Sequence, residues 1–184
     1  MYYNQKVVVI IPAKMGSSRL PNKNLQLFGE NTLTKCAFDY AKMSVFVDEI
    51  IISTDADSLT IFGDLSGAQQ HKRKDKHLGE APLIDVIKDV ADCMRLASKN
   101  TIVVCLQPDH VGREMSLDES LKFLSSKGDV ILKSKELDGS PSGAYYMAKL
   151  EDFLNPKAPI FYVADKAFNI HYLDDLDQAR KSLL

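Results

Sequence analysis

The sequence predicts an α/β fold with a mostly parallel sheet covered by helices on both sides. Short runs rich in β-branched residues alternate with longer stretches of helical periodicity along the 184 residues. The first run, Val7–Ile11, is apolar on both faces, as expected of a central parallel strand. The length is close to that of one domain, and 45% hydrophobic with 26% charged residues is an ordinary globular composition. We therefore predict a single domain over residues 1–184.

Strands are predicted where β-branched and aliphatic residues cluster between turn signals. The first strand ends at Pro12, which has no backbone N–H to continue a ladder. The predicted strands are 7–11, 49–53, 101–106, 129–133 and 144–148, with 160–164 and 167–171 as candidates for one or two more. A turn is predicted over 138–143, where Gly, Ser and Pro cluster.

Helices are predicted where apolar residues recur at three- and four-residue spacing. Asn31 or Thr32 is suited to cap the first helix, in which Leu33 is the first apolar position. Further helices are predicted over about 56–65, from Pro82 to Leu96, over 116–126 and over 174–183. Residues 69–77 form a polar, basic segment. Because strands alternate with helices, right-handed crossovers should make neighbouring strands parallel.

Charge and composition argue against several classes of partner. Lys and Arg number 23 against 25 Asp and Glu, which gives a net charge of -2 and no electrostatic case for a nucleic-acid partner. The longest strongly apolar run, 7–11, is far shorter than a membrane helix, so no membrane partner is expected. No secretory signal is visible, so we expect the protein to be located in the cytoplasm. Three widely spaced cysteines favour buried thiols over a disulfide framework or a zinc site.

The loop after the first strand carries the strongest chemical signal. Ligands of parallel α/β sheets bind outside the carboxyl ends of the strands, which here means residues 13–24, 54–55 and 107–110. Within 13–24, Gly16 would let the backbone approach a phosphate closely, serines offer hydroxyl and amide donors, and three cations suit a triphosphate. The cations are Lys14, Arg19 and Lys23. The residue order is not that of a Walker motif, and the alternative is a Gly/Ser loop with solvated cations.

This loop resembles the N-terminal signature of the cytidylyltransferases that activate acidic sugars. These are the CMP-sialic acid synthetases and, more distantly, the CMP-Kdo synthetases, in which a strand is followed by P-A-R-x-G-S-K-R-x-P-x-K-N. The residues that match are Pro12, Ala13, Gly16, Ser17, Arg19, Pro21, Lys23 and Asn24. The chain has Lys14 where the family has arginine and Ser18 where it has lysine.

Other stretches resemble the same family in the same order along the chain. Within 67–78, Arg73 is the nearest match to an arginine that the family places on the nucleotide. Further matches are 51–55 to its second strand, 105–108 to its L-L-Q-P, 142–146 to its N-G-A-x-Y, and 169–176 to its closing D-I-D-T-x-x-D-L. The resemblance therefore covers nearly the whole chain. It implies the nucleotide-diphosphosugar transferase fold, a three-layer α/β sandwich.

The resemblance also implies roles for the matching residues. Lys14 and Lys23 would stabilise charge on the phosphates during catalysis. Gly143 and Tyr145 would border the sugar. The implied nucleotide-binding residues are Ala13, Gly16, Ser17, Arg19, Asn24, Arg73, Gln107 and Pro108, with Asn24 and Gln107 on the ribose and base.

Two acidic metal ligands of the family are replaced in this chain. Aspartates in the closing motif hold Mg²⁺ on the triphosphate, whereas these positions here are Asn169 and His171. Mg²⁺ prefers oxygen ligands and imidazole suits softer metals, which weakens the case for a normal Mg²⁺ site. Asp109 falls where CMP-Kdo synthetases carry a metal-binding aspartate, so Asp109 and His171 could share Mg²⁺ or Mn²⁺. The alternative is that Asp109 caps a loop or the start of a helix.

A segment of the family is also shortened. The long stretch between its fourth strand and the N-G-A-x-Y strand is reduced here to about ten residues, 133–142. So short a segment makes little more than a turn. The exchange of this segment between dimer subunits, and its contacts with the sugar, are therefore not expected.

These observations support two functional hypotheses. The first is a nucleotidyltransferase that joins CMP from CTP to an acidic 2-keto sugar, sialic acid-like or Kdo-like, and releases pyrophosphate. The second is a catalytically impaired relative that still binds the nucleotide. A transferase for another sugar or nucleotide is a third option, because a fold does not fix a function. His110 is expected to be an exposed loop histidine, and Lys72, Lys74 and Lys76 to be solvated charges.

Overall fold

The computed structural model describes residues 2–74 and 81–184. In this part of the chain it has eleven strands and five α-helices. The strands are β1 (Lys6–Pro12), β2 (Leu27–Phe28), β3 (Asn31–Thr32), β4 (Glu49–Thr54), β5 (Ala68–Lys72), β6 (Thr101–Cys105), β7 (His110–Val111), β8 (Ile131–Lys135), β9 (Pro141–Lys149), β10 (Ile160–Ala164) and β11 (Phe168–Asn169). The helices are α1 (Leu33–Lys42), α2 (Leu83–Cys93), α3 (Leu117–Lys127), α4 (Leu150–Leu154) and α5 (Leu173–Leu183).

Seven strands form one mixed sheet in the order β10-β8-β9-β6-β1-β4-β5. Strand β1 lies at its centre and pairs in parallel with β4 and β6. The pairs β4–β5 and β8–β10 are also parallel, and β9 alone among these seven runs antiparallel, to β6 and to β8. The predicted mostly parallel α/β sheet is therefore confirmed.

Helices cover both faces of this sheet, and alternate residues of β1 face the two layers. Val7, Val9 and Ile11 pack with buried residues of α1 and α3, whereas Val8 and Ile10 pack with buried residues of α2 and α4. A strand buried on both faces needs apolar residues at every position, which is why this segment has no polar alternation. The result is a helix–sheet–helix sandwich.

A smaller apolar cluster closes one edge of the carboxyl end of the sheet. Leu176 and Ala179 of α5 pack there with Leu20 and Leu33. Strands β7 and β11 pair antiparallel beside this cluster and bring the last quarter of the chain against the loop that follows β6. The candidate site lies at this edge.

The helix caps follow local sequence signals. Thr32 caps α1, its hydroxyl accepting a hydrogen bond from the Lys35 N–H at 3.1 Å. At the start of α3, Ser116 accepts from the Glu119 N–H at 3.2 Å, and the Glu119 carboxylate accepts from the Ser116 N–H at 2.9 Å. This reciprocal pair is a capping box.

One predicted element on the β4–β5 side was wrong, and a segment for which no element was predicted contains most of a strand. The helix over 56–65 is absent, and only a single 3-10 turn forms at Leu59–Phe62 before Gly63 turns the chain with φ of +101°. The polar segment 69–77 contains β5, whose glutamines are exposed because the strand is at the edge of the sheet.

Two boundaries and the burial of one cysteine also differ from the prediction. Helix α2 ends at Cys93 rather than Leu96, because Arg95 takes a left-handed φ of +52° that closes the helix. Of the predicted strand 167–171, only Phe168–Asn169 pairs. Cys93 is exposed, contrary to the expected burial of all three thiols. In the described residues, no helix has the length and apolar character needed to span a bilayer.

Candidate active site

A cleft of about 320 Å³ opens at the carboxyl ends of β1, β5 and β6. It gathers side chains from the loop after β1, the residue after β5, the start of α2 and the loop after β6. Its lining residues are Pro12, Lys14, Lys23, Asn24, Arg73, Ala81, Leu83, Val86, Gln107, Pro108 and Asp109. Six of the residues named from the sequence for the nucleotide or for catalysis are among them, together with the predicted metal ligand Asp109.

The loop after β1 is held to the sheet by hydrogen bonds from three directions. The buried Ala13 donates its N–H to the Ser53 carbonyl at 2.8 Å. The Met15 N–H donates to the Asp55 carboxylate at 2.7 Å. The Asn24 side chain donates its amide to the Lys14 carbonyl at 2.7 Å. These bonds fix the backbone on which Lys14 and Lys23 sit, and they give Asp55 and the Asn24 amide loop-holding roles.

The remaining residues of the loop do less than the sequence predicts. Gly16 has no positive φ and a Cβ there would meet open space, so its bending role is not required by this structure. The Ser17 hydroxyl accepts from the Leu20 N–H at 3.4 Å and shapes the turn. Arg19 is exposed, and its positive charge helps to lower the pKa of His171. None of these three lines the cleft described above.

Two cations of the cleft are largely buried. The Lys23 ammonium contacts the Asp109 carboxylate and donates to the Ile170 carbonyl at 3.2 Å, with only 13% of its side chain exposed. Arg73 donates from Nε to the Ser53 carbonyl at 3.2 Å. Burial lowers the pKa of Arg73, and the Asp55 charge opposes this effect. A buried cation facing a cleft attracts anions strongly, because water screens it little.

His110 is buried rather than exposed, which corrects the expectation of a loop histidine. Its Nε2 accepts a hydrogen bond from the Gly143 N–H at 3.0 Å, and its Nδ1 lies 2.9 Å from the Asp109 carboxylate. An accepting Nε2 places the proton on Nδ1, so the ring donates to Asp109. Burial raises the pKa of Asp109, but the hydrogen bond from His110 and the charge of Lys23 outweigh it and hold this pKa far below its usual range.

Arg113 organises the loop after β6, a role that no pattern in the sequence predicts. Its Nη2 donates to the Gln107 carbonyl at 2.7 Å, its Nη1 to the His110 carbonyl at 2.6 Å, and its Nε to the Ala144 carbonyl at 3.0 Å. The guanidinium also lies over the Tyr40 ring, 5.2 Å from its centroid. One half-buried side chain thus holds both the loop after β6, which presents the cleft residues, and strand β9.

The segment around β11 brings further donor atoms to the Asp109 side of the cleft. The Ile170 N–H donates to the Asp109 carbonyl at 2.7 Å, and Asn169 pairs with His110 in the β7–β11 register. Asn169 Oδ1 and His171 Nδ1 are buried without a hydrogen-bond partner among the described residues. Burial and the charges of Arg19 and Lys23 lower the pKa of His171 and keep its imidazole neutral. A carboxylate, a carboxamide oxygen and a neutral imidazole are donors that suit Mn²⁺ and related divalent cations.

A second cleft of about 310 Å³ adjoins the first and shares Leu83 and Gln107 with it. Lys133, Gly143 and Tyr146 line it. A Cβ at Gly143 would collide with the Gln107 amide and lie 2.9 Å from the His110 ring, so any larger residue there would require these side chains to shift.

Tyr145 also lines the second cleft, and its place beside the sugar stays a prediction. Its side chain is 1% exposed, and its hydroxyl donates to the Met115 carbonyl at 2.6 Å in the core. Successive residues of a strand face opposite sides, so Tyr146 presents its ring towards the second cleft. Residues 75–80, which include Lys76 and most of the remaining sequence match after Arg73, lie outside the described part of the chain.

Comparison with known proteins identifies cytidylyltransferases as relatives. A 3-deoxy-manno-octulosonate cytidylyltransferase of Thermodesulfovibrio yellowstonii is 24% identical over 152 residues, which are 81% of this chain and 56% of that protein. The chain therefore spans about half the length of this curated relative.

Solved structures share the fold at low sequence identity. A CMP:2-keto-3-deoxy-manno-octonic acid synthetase complexed with CTP superposes with a TM-score of 0.73 at 16% identity, over 97% of this chain and 98% of that one. Rv0371c of Mycobacterium tuberculosis H37Rv, in complex with manganese, gives a TM-score of 0.66 at 16% identity, over 97% of this chain and 100% of that one. At these identities the likeness concerns the fold.

The sequence profile of the family described as "Cytidylyltransferase" matches residues 8–112, which is more than half of the chain. The matched stretch contains β1, the loop that follows it, Arg73 and the loop after β6 up to Gly112. The chain belongs to the cytidylyltransferase family.

Proposed function

We propose that this protein transfers CMP from CTP to an acidic 2-keto sugar and releases pyrophosphate. The observation that carries the proposal is the pair of adjoining clefts at the carboxyl edge of the sheet. One presents Lys14, Lys23 and Arg73, and the other presents Lys133 beside Gly143. Two anionic substrates would meet where Gln107 borders both clefts.

The first cleft suits a nucleoside triphosphate. Three cations offset much of the charge of the phosphates, and Lys23 is close enough to Asp109 to move between the carboxylate and a phosphate oxygen. Gln107 offers an amide to the base and Pro108 an apolar surface beside it. Support for cytosine comes from the family and from the relatives' names, since amide recognition alone does not select one base.

The chemistry requires positioning more than acid or base strength. The anomeric hydroxyl of the sugar attacks the α-phosphorus in line, an O–P bond forms, the bond to the pyrophosphate breaks, and the hydroxyl proton passes to solvent. Lys14 and Lys23 would stabilise the negative charge on the phosphates as the leaving group departs. Arg73, held by Ser53, would keep the nucleotide in register with the attacking hydroxyl.

A divalent cation would be held by Asp109 and His171, with the side-chain oxygen Oδ1 of Asn169 as a further ligand. Two of these groups carry buried atoms that lack a hydrogen-bond partner in the described structure, which supports a ligand there. When bound, the cation would supply charge neutralisation on the triphosphate. Because one donor is imidazole, we expect Mn²⁺ to serve better than Mg²⁺.

The acceptor is expected to be Kdo-like or sialic acid-like. Lys133 offers a cation to the carboxylate that both sugar types share, and its Nζ lies 4.6 Å from the centroid of the Tyr146 ring. The names of the relatives favour 3-deoxy-manno-octulosonate over sialic acid. The short stretch between β8 and β9 leaves this cleft open, so larger acidic sugars also fit.

A second candidate function is nucleotide binding without turnover. It is favoured by the replacement of two acidic ligands by Asn169 and His171, and by the engagement of Asp109 with Lys23. Such a protein would hold CTP but leave it intact.

The experiment is pyrophosphate release from CTP, with Mn²⁺ or Mg²⁺, against Kdo, N-acetylneuraminic acid and other nonulosonic acids. Release that requires both CTP and one of these sugars, and that falls by about 100-fold or more in Asp109→Asn, supports the transferase. Lys135→Met, which removes a charge on β8 outside both clefts, should release pyrophosphate as the wild type does. Binding of CTP without release from any sugar supports the second candidate. Failure to bind any nucleotide at millimolar concentration overturns both.

A further inference from the structure

A buried histidine lies behind the nucleotide cleft and takes no part in the proposed reaction. His71 is in the edge strand β5, is 4% exposed, and pairs with Ser53 in the β4–β5 register. Its Nδ1 lies 3.1 Å from the Ser53 hydroxyl. Its Nε2 has no hydrogen-bond partner among the described residues and faces the Asp89 carboxylate at 3.3 Å.

Helix α2 carries two metal-ligating side chains opposite this ring. Asp89 is 6% exposed, and Cys93 lies four residues further on, one turn along the same helix face, where it is exposed. The ligand atoms of His71, Asp89 and Cys93 all lie within 4.8 Å of one another. The Lys74 ammonium contacts Asp89, so a cation already occupies the space beside these donors.

The donor set selects the metal. One imidazole nitrogen, one carboxylate oxygen and one thiolate sulfur suit tetrahedral Zn²⁺ with a water as fourth ligand. Mg²⁺ and Ca²⁺ require oxygen donors and are disfavoured here. The Ser53 contact on Nδ1 orients the ring and leaves Nε2 for the metal, as second-shell partners do for ligating histidines.

We propose that His71, Asp89 and Cys93 form a transition-metal site, with Zn²⁺ as its expected occupant, that joins strand β5 to helix α2. Lys74 is the competing cation that must move aside when the metal binds. The site also reaches the nucleotide cleft, because the Ser53 hydroxyl contacts His71 while the Ser53 carbonyl accepts from Arg73. Metal occupancy would therefore restrain the strand that leads into Arg73.

The test uses Co²⁺ as a spectroscopic substitute for Zn²⁺ on the full chain. A thiolate ligand gives Co²⁺ a sulfur-to-metal charge-transfer band in the near ultraviolet, which the sulfur-free Asp109 and His171 cannot produce. We expect one equivalent of Co²⁺ to give this band and Zn²⁺ to abolish it. Cys93→Ser should remove the band and weaken Zn²⁺ binding by at least about tenfold. Cys93 is exposed, so this variant should fold.

Three further variants complete the test. Cys36→Ser removes a thiol on α1 outside the cluster and should leave the band unchanged. Asp109→Asn should also leave it unchanged, which separates this site from the proposed catalytic metal. Lys74→Met removes the competing cation and should tighten Co²⁺ binding by about fivefold or more. Absence of a charge-transfer band in the wild-type chain, or a band that survives in Cys93→Ser, overturns the proposal even if the transferase activity is present.

Discussion

The backbone N–H of Gly143 donates a hydrogen bond to Nε2 of His110 at 3.0 Å. The same ring donates from Nδ1 to the Asp109 carboxylate at 2.9 Å. A single buried imidazole thereby joins the residue proposed to hold the catalytic metal to the rim of the proposed sugar cleft. His110 is a positioning residue on this geometry, since it acts through Asp109 and Gly143.

Two substitutions at His110 should separate its two contacts. The Asn side chain can place an amide near the position of Nδ1, and the longer Gln side chain can place an acceptor near Nε2. We expect His110→Asn to raise the KM for the sugar about fivefold with little change in metal dependence. We expect His110→Gln to raise the Mn²⁺ concentration needed for activity by a similar factor, because one hydrogen bond contributes about 1 kcal/mol. Steady-state kinetics with sugar and metal varied separately measure both effects, and identical profiles for the two variants would contradict the assignment.

Lys23 should have opposite effects on metal and on nucleotide binding. In the structure its ammonium contacts Asp109, so it competes with a cation for that carboxylate. Lys23→Met should tighten Mn²⁺ binding in the absence of nucleotide by about tenfold and weaken CTP binding by about tenfold. Titration calorimetry with Mn²⁺ alone and with CTP alone measures each. If the substitution weakens the binding of both Mn²⁺ and CTP, the hypothesis that Lys23 moves from the Asp109 carboxylate to a phosphate is wrong.

Asp109 should make the stability of the protein depend on pH in the acid range. Its pKa in the folded protein is far below the unfolded value of about 3.9. A carboxyl group with a depressed folded pKa stabilises the fold above its unfolded pKa, and this contribution is lost as pH falls towards the folded pKa. We expect Asp109→Asn to lower the free energy of unfolding by about 3 kcal/mol at pH 7 and by a smaller amount at pH 3, where the loss has begun but the folded pKa has not been reached. Urea denaturation at both values measures this, and a pH-independent difference would count against the ion pair.

The sequence predicts most strands of the sheet and the loop after β1 that lines the cleft, because each of these is marked by residues close together in the chain. An unbroken β-branched run can only be a strand buried on both faces, and β1 is one. Thr32 and Ser116 mark helix starts by their own hydroxyls. The loop after β1 is placed correctly because the carboxyl ends of parallel strands meet at one edge of a sheet. Lys14, Lys23 and Asp109 line the cleft for that reason.

The features that the sequence missed depend on contacts between distant segments. Nothing around Arg113 shows that its guanidinium will meet the carbonyls of Gln107 and Ala144. The polar strand β5 is recognisable only once its edge position is known. His71, Asp89 and Cys93 have no metal-site spacing in the sequence, and they meet because strand β5 packs beside helix α2. The motif match names Tyr145 but does not show that Tyr146, the next residue along the strand, also lines the second cleft.

Lys133 should set the affinity for the acidic sugar. It lines the second cleft, whereas Lys135, two residues along the same strand, does not. Lys133→Met should raise the KM for the sugar by about tenfold and leave the KM for CTP unchanged, because a charge-assisted contact to a carboxylate contributes about 1.5 kcal/mol. Lys135→Met, the matched control, should match the wild type in both constants. Equal effects of the two substitutions would show a general loss of surface charge rather than a specific carboxylate contact.

Among the arginines, Arg113 is the one whose replacement should lower the stability of the protein most. It is half-buried and donates hydrogen bonds to the carbonyls of Gln107, His110 and Ala144, so its removal takes a charged donor from all three. Among the described residues, only Gln107 of these three keeps another donor, the His110 N–H at 3.3 Å. Arg113→Met should lower the free energy of unfolding by about 3–4 kcal/mol. The free energy of unfolding of Arg113→Lys should lie between that of Arg113→Met and that of the wild type, because one ammonium group cannot reach all three carbonyls as the forked guanidinium does. Arg95→Met, at an exposed position, should change the stability by less than about 0.5 kcal/mol in the same urea denaturation series. If Arg113→Lys were as stable as the wild type, the three-carbonyl contact would not be what holds the loop after β6 in place.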